Sequence, residues 1–153
     1  MFHRLYYHIV WTTRDRAPLI DAGLARFLGG FLRGVARQER ARLLEIGMVR
    51  THVHILARLH PTTDVSRLLQ RLKGGSAATV GKEQHSNEGN HLRWAKGYSI
   101  QSVSPRNLAT VREYLRRQPI HHRAEAIPGW AGDQPEYEAT GQDEWRSELR
   151  RRI

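Results

Sequence analysis

The stretch RTHVHILARL, residues 50–59, decides the fold. Its β-branched and aliphatic residues read as a strand, and on a strand side chains alternate between the two faces. Val53, Ile55, Ala57 and Leu59 therefore form an apolar side, while His52 and His54 converge on the other. Immediately upstream, RLLEIGMV (42–49) reads as a second strand with Leu44, Ile46 and Met48 on one side. Arg50 and Thr51 leave room only for a tight connection, so the two strands form an antiparallel hairpin.

Outward from the hairpin the chain alternates strand and helix signals. FHRLYYHIVWTT, at about 2–13, is a strand by its aromatic and β-branched content. Asp21 is the expected N-cap of a helix whose Leu24, Phe27, Leu28, Phe31 and Val35 share one face. Asp64 caps a second helix, with Val65, Leu68, Leu69 and Leu72 repeating that spacing to about Val80. GKEQHSNEGN (81–90) is a polar loop, and HLRWAKGYSIQSVS (91–104) reads as two short strands around Ala95, Lys96 and Gly97. Ser104 and Pro105 start a third helix with Leu108, Val111 and Leu115 as its stripe, and Pro119 ends it just past Gln118.

The order β-α-β-β-α-β plus a final helix predicts an α+β, ferredoxin-like or RRM-like split βαβ fold: an antiparallel sheet with both early helices on one face. The opposite face, bearing His52 and His54, is expected to stay open. Residues 1–123 form the expected main domain. Residues 124–153 form a tail, a Pro- and Gly-rich loop followed by a short basic helix in DEWRSELRRRI.

Composition narrows the function. The 153 residues are 39% hydrophobic, enough for one domain with its own core. There is no cysteine, which excludes disulfides and thiolate zinc sites. No apolar run is long enough to span a membrane, and the expectation is a cytoplasmic protein without a membrane partner. Lys and Arg number 25 against 15 for Asp and Glu, a formal charge of +10, which suits a polyphosphate partner better than a neutral metabolite.

Several residues could carry chemistry. His52 and His54 are either two half-exposed strand histidines or a ligand pair whose remaining coordination positions could take substrate oxygens. Tyr114 and Gln118 are four apart and share a helix face. Either Gln118 gives an amide oxygen to a metal and Tyr114 attacks a phosphorus held there, or the pair is a half-buried aromatic and a solvated helix end. LKGGSA (72–77) lacks the P-loop pattern, which leaves Lys73 as a weak phosphate contact. Arg14, Arg16, Arg112 and Arg116 are candidates to grip a DNA backbone, or members of a solvated basic face. Histidines 121 and 122, being adjacent, should diverge.

Five segments in order, YHIVWTTRDR (7–16), THVHIL (51–56), VSRLLQRLKG (65–74), KGYSIQSV (96–103) and YLRRQPIHHR (114–123), together resemble the single-tyrosine transposases of the HUH superfamily, found in small bacterial insertion sequences and including REP-associated relatives. The resemblance spans residues 3–123. It implies that Tyr114 is the nucleophile and that His52, His54 and Gln118 hold Mg2+ or Mn2+. It further implies single-stranded DNA with hairpins as substrate, a 5′-phosphotyrosine intermediate, and a homodimer in which the tyrosine helix can complete the partner's site. Pro119 and Ile120 depart from the acidic residues such transposases tend to carry there. Two other readings use the same fold: a non-catalytic basic nucleic-acid-binding module, which would have no use for Tyr114 and Gln118 at this spacing, and a metal-dependent phosphodiesterase that uses water and leaves no adduct.

Overall fold

The computed structural model describes residues 2–83, 92–130 and 132. Its elements follow the expected order: β1 (Leu5–Thr12), α1 (Ala22–Gln38), β2 (Ala41–Val49), β3 (His52–Leu59), α2 (Val65–Glu83), β4 (Ser99–Val103), α3 (Leu108–Arg116) and the single turn α4 (Gln118–His121). The four strands form one antiparallel sheet in the order β2-β3-β1-β4, which is the split βαβ arrangement. The N-cap residues act as expected. Asp21 Oδ1 accepts from the Leu24 amide at 2.8 Å and Asp64 Oδ1 from the Arg67 amide at 3.0 Å.

One face of the sheet presents Ile9, Trp11, Met48, Val53, Ile55 and Ala57 to Leu28, Leu32, Leu68, Leu69 and Leu72 of α1 and α2, and this is the main core. Burial of these side chains is the chief stabilising term, at about 25 cal/mol per Å2 of apolar surface. The core also takes in residues beyond 123: Ile127 is buried within it and Trp130 packs against it. The remaining tail, including the basic helix expected at 143–153, lies outside the described residues, as does most of the polar loop at 81–90. Among the described residues no helix is long and apolar enough to cross a membrane.

Three expectations are corrected. HLRWAKGYSIQSVS yields one strand, β4, plus an isolated bridge between Thr13 and Trp94, rather than two strands. In β2 a bulge between Leu43 and Glu45 breaks the alternation: Leu43, Ile46 and Met48 join the main core, whereas Leu44 turns to the opposite face. A bulge adds one residue to the strand, and the side chains beyond it exchange faces.

The opposite face is not open. Tyr6, Leu44 and Leu56 on the sheet bury Leu108 and Leu115 of α3 in a second, smaller core, so the helix that was expected merely to follow the fold lies across the histidine-bearing side. Gly47 makes this approach possible. A Cβ there would run into the Leu115 carbonyl and come within 3.1 Å of Gln118 Cγ. Gly47→Ala is therefore expected to force α3 off the sheet, lowering stability by about 1–3 kcal/mol, the range for overpacking. Urea unfolding checks this; an unchanged midpoint would show that α3 does not depend on the close approach.

Candidate functional site

Two ladders fix the histidines. His54 lies opposite Val10 of β1 and Gly47 of β2, and His52 lies opposite Thr12 and Val49. Because α3 and α4 cover this face, both imidazoles are buried, at 7% and 4% exposure. Their rings meet edge to face with centroids 5.0 Å apart. His54 Nδ1 lies 2.8 Å from Nε2 of His8, and the two rings are stacked. Burial pushes the His54 imidazole down to about 3, assisted by the charges His52, His8 and His122 could carry. Burial also lowers His52 and His8; for His52 the Glu125 carboxylate works in the opposite sense. The pair is thus held neutral at physiological pH, the form in which imidazole binds metal.

Helix α3 ends at Arg116, Arg117 leaves helical geometry (φ −90°, ψ 8°), and Pro119 sits in the first turn of α4. Proline at a first turn sacrifices no helical hydrogen bond, and so the chain restarts as a short turn instead of running straight on. Gln118, expected at a helix end, is fully buried. Its Nε2 makes a long 3.4 Å contact to the Tyr114 carbonyl, and its Oε1 is buried with no hydrogen-bond partner. An orphaned buried carbonyl costs about 1–3 kcal/mol unless something binds it. The Gln118 side chain also reaches His52, favouring that imidazole's charged form.

Tyr114 remains 41% exposed and stands over the histidines of its own chain. Its ring centroid lies 5.9 Å from His54, 6.2 Å from His8 and 5.3 Å from His121. His121 and His122, expected only to diverge, both border the site: His121 flanks Tyr114, and His122 meets His52 at 5.0 Å. Among the described residues no three His, Asp or Glu side chains gather into a metal cage. The donor set that fits a divalent ion is two neutral imidazoles and the unpartnered Gln118 amide oxygen, with coordination positions left for phosphate oxygens.

The basic candidates separate. Arg14 and Arg16 are exposed on a short turn after β1, with Asp15 and Arg16 in left-handed backbone (φ 56° and 53°), and the charge of Arg16 reaches His52. Lys73 Nζ donates to the carbonyls of Ala95 (2.8 Å) and Gly97 (2.5 Å), which ties α2 to the segment before β4. Arg112 is buried and donates to Glu45 Oε1 at 3.1 Å and the Leu44 carbonyl at 3.3 Å; it clamps α3 to β2 and is not available to DNA. Arg116 shares the same carboxylate oxygen at 2.7 Å but keeps 43% of its side chain exposed. Glu45, at 3% side-chain exposure, accepts from both guanidinium groups, and removing its charge would leave the buried Arg112 without its ionic partner. Glu45→Gln should lower unfolding free energy by about 1.5–3 kcal/mol, the worth of hydrogen bonds to a charged group. An unchanged denaturation midpoint would remove the clamp from this account.

Sequence reading missed His8, Thr51, Glu45, His122 and Glu125. Thr51 Oγ1 lies 3.0 Å from His52 Nδ1 and donates to Glu125 Oε1 at 3.0 Å. The signal for His8 was the strand register, since only β1 and β3 lying side by side bring it to His54. Nothing in the local sequence around Glu125 points to the hairpin turn, 74 residues earlier.

Comparison with known proteins gives a consistent picture. A family model described as "Transposase IS200 like" matches residues 1–118. The chain is 27% identical over 115 residues to the transposase for insertion sequence element IS200 of Salmonella typhimurium, covering 73% of this chain and 75% of that one. It is 28% identical over 120 residues to the ISDra2 transposase TnpA of Deinococcus radiodurans, covering 76% and 85%. Its fold matches the solved structure of a REP-associated tyrosine transposase bound to a REP hairpin, with a TM-score of 0.61 at 14% identity over 91% of this chain and 92% of that one.

Proposed function

Since the chain belongs to the IS200-like transposase family, we propose that it cleaves and rejoins single-stranded DNA through a covalent 5′-phosphotyrosine at Tyr114, with His52, His54 and Gln118 as ligands of Mg2+ or Mn2+. The observation that carries this reading is the meeting, within one chain, of an exposed tyrosine ring, two buried neutral imidazoles and a buried amide oxygen without a partner.

A divalent ion bound there would supply charge neutralisation and polarisation of the scissile phosphate. The protein's own groups supply the rest. The Tyr114 phenol gives its proton to solvent and its oxygen attacks the phosphorus in line. The bond from phosphorus to the 3′ oxygen breaks, and that oxygen leaves as a 3′-hydroxyl after taking a proton. The phosphodiester energy is kept in the new bond to Tyr114, so the reverse attack by a different 3′-hydroxyl rejoins strands without ATP. The sheet, pinned by the β1–β3 ladder, keeps the histidines in register, and the Glu45 clamp keeps α3 over them.

Hairpin-bearing DNA is the proposed substrate, by analogy with the REP hairpin bound to the fold relative and from the +10 charge of this chain. Two copies of the chain would be the minimum for holding two cut ends at once, although each copy already brings its own Tyr114 to its own His54. The test is to incubate the protein with end-labelled single strands from the DNA flanking its gene, with and without Mg2+. A protease-sensitive shifted band that needs Mg2+ and a hairpin is the expected result. Cleavage without any such band would favour the water-using phosphodiesterase, and binding without cleavage the non-catalytic module.

A further inference from the structure

The chain past Gln118 lies beyond the residues that the family model matches, yet it reaches back into the site. Residues Arg123–Glu125 form a short 3-10 turn held by the buried Ile127, and the Glu125 carbonyl accepts from the Arg50 amide at 2.7 Å. This seats the Glu125 carboxylate on the β2–β3 turn. Its Oε1 accepts from the Thr51 hydroxyl at 3.0 Å, while its Oε2 is 3.8 Å from His52 Nδ1 and 3.7 Å from His122 Nδ1, beyond direct hydrogen bonding. The link from Glu125 to His52 therefore runs through Thr51, whose Oγ1 is 3.0 Å from His52 Nδ1.

Donor and acceptor counting fixes the direction of that link. An ionised carboxylate only accepts, so the Thr51 hydroxyl spends its one proton on Glu125. The hydroxyl oxygen is left as an acceptor toward His52, which requires Nδ1 to carry the imidazole proton. We propose that Glu125 positions His52 through the Thr51 hydroxyl, holding the ring as the Nδ1–H tautomer so that Nε2 presents the lone pair. This deepens, and for its metal consequence rests on, the reading of His52 as a ligand; the tautomer itself does not depend on that reading. Outer partners of ligating histidines act in this way generally, and their loss costs 10–100-fold in metal affinity. Thr51 is itself held by Thr13, just past the end of β1, whose amide donates to the Thr51 carbonyl at 2.8 Å, so the relay has a fixed base beside the sheet.

Two variants on different elements test it, Thr51→Val and Glu125→Ala, with Thr51→Ser as the conservative control. Long-range proton–nitrogen spectra of histidine-labelled, metal-free protein read the tautomer, and calorimetric titration with Mn2+ reads affinity. The expected result is Nδ1–H at His52 in the wild type and in Thr51→Ser, a shift toward Nε2–H in the other two, and a 10–100-fold loss of Mn2+ affinity confined to those two. An Nε2–H wild type, or a tautomer unmoved by both variants, overturns the proposal. Wild-type protein that holds the Nδ1–H tautomer, and loses it in both variants, yet binds no Mn2+ would overturn the metal reading while supporting the relay.

Discussion

Tyr114→Phe abolishes both strand cleavage and the covalent protein–DNA adduct, with rates falling on the order of 10^4-fold or more, the scale on which loss of a nucleophile acts. DNA binding stays nearly unchanged. The substitution removes one oxygen and keeps the aromatic ring, and among the described residues no hydrogen bond from that oxygen holds the fold together: Tyr114 is 41% exposed, and its neighbours His54, His8 and His121 touch its ring. A gel that resolves adduct from free DNA, run beside a filter-binding assay on the same strands, separates the two effects. Adduct formation by the Phe variant at the wild-type rate would remove Tyr114 from its role.

His54→Ala has the second largest effect. Cleavage should drop by about 10^3-fold, since a metal ion's charge stabilisation of a phosphoryl transition state is worth several kcal/mol. Added Mg2+ or Mn2+ should no longer stimulate what activity remains. Because His54 is buried and hydrogen-bonded to His8, the variant should also lose roughly 1–3 kcal/mol of stability, in contrast to a side chain on an open face. Thermal unfolding measures that part, and Mn2+ calorimetry measures the other. Wild-type Mn2+ affinity in a folded His54→Ala protein would dismiss the histidine as a ligand.

Much of this architecture is legible in the sequence because its local signals agree with one another. Asp21 and Asp64 are caps followed by clean helical periodicity, and the β3 alternation assigns Val53, Ile55 and Ala57 to one face and the histidines to the other. What local pattern does not encode is how the third helix docks. The α3 stripe contains Leu108 and Leu115, but its third buried member is Arg112 rather than Val111, because Glu45 lies beneath it on β2. A charged residue in a buried stripe looks like a solvated face until its partner, 67 residues away, is brought under it. The β2 bulge is equally hidden, since Leu43 and Leu44 are both apolar and either could face the main core. Local pattern alone makes α3 look peripheral and the histidine face open, so the burial that neutralises His54 follows only from the docked helix.

The candidate site divides along the same line. His52 and His54 have a spacing that a strand converts directly into a shared face, whereas Tyr114 and Gln118 meet across the break at Arg117 between α3 and α4. His8, Thr51 and Glu125 have no mutual spacing at all; they meet only because β1 lies beside β3 and the chain after α4 returns to the hairpin turn. By charge and by their place around Tyr114, Arg112 and Arg116 read as DNA contacts, but neither signal distinguishes an arginine facing a phosphate from one facing Glu45.

The central claim is that Tyr114 carries the DNA strand, and mass spectrometry of the covalent product tests it most directly. Protein incubated with Mg2+ and a hairpin-bearing single strand is digested with nuclease and protease, and the peptides are searched for an added nucleotide. The account predicts a 5′-phosphonucleotide on the peptide containing Tyr114, with the released strand ending in a 3′-hydroxyl. Cleaved DNA carrying a free 5′-phosphate with no modified peptide, or the nucleotide found on another residue, would contradict it.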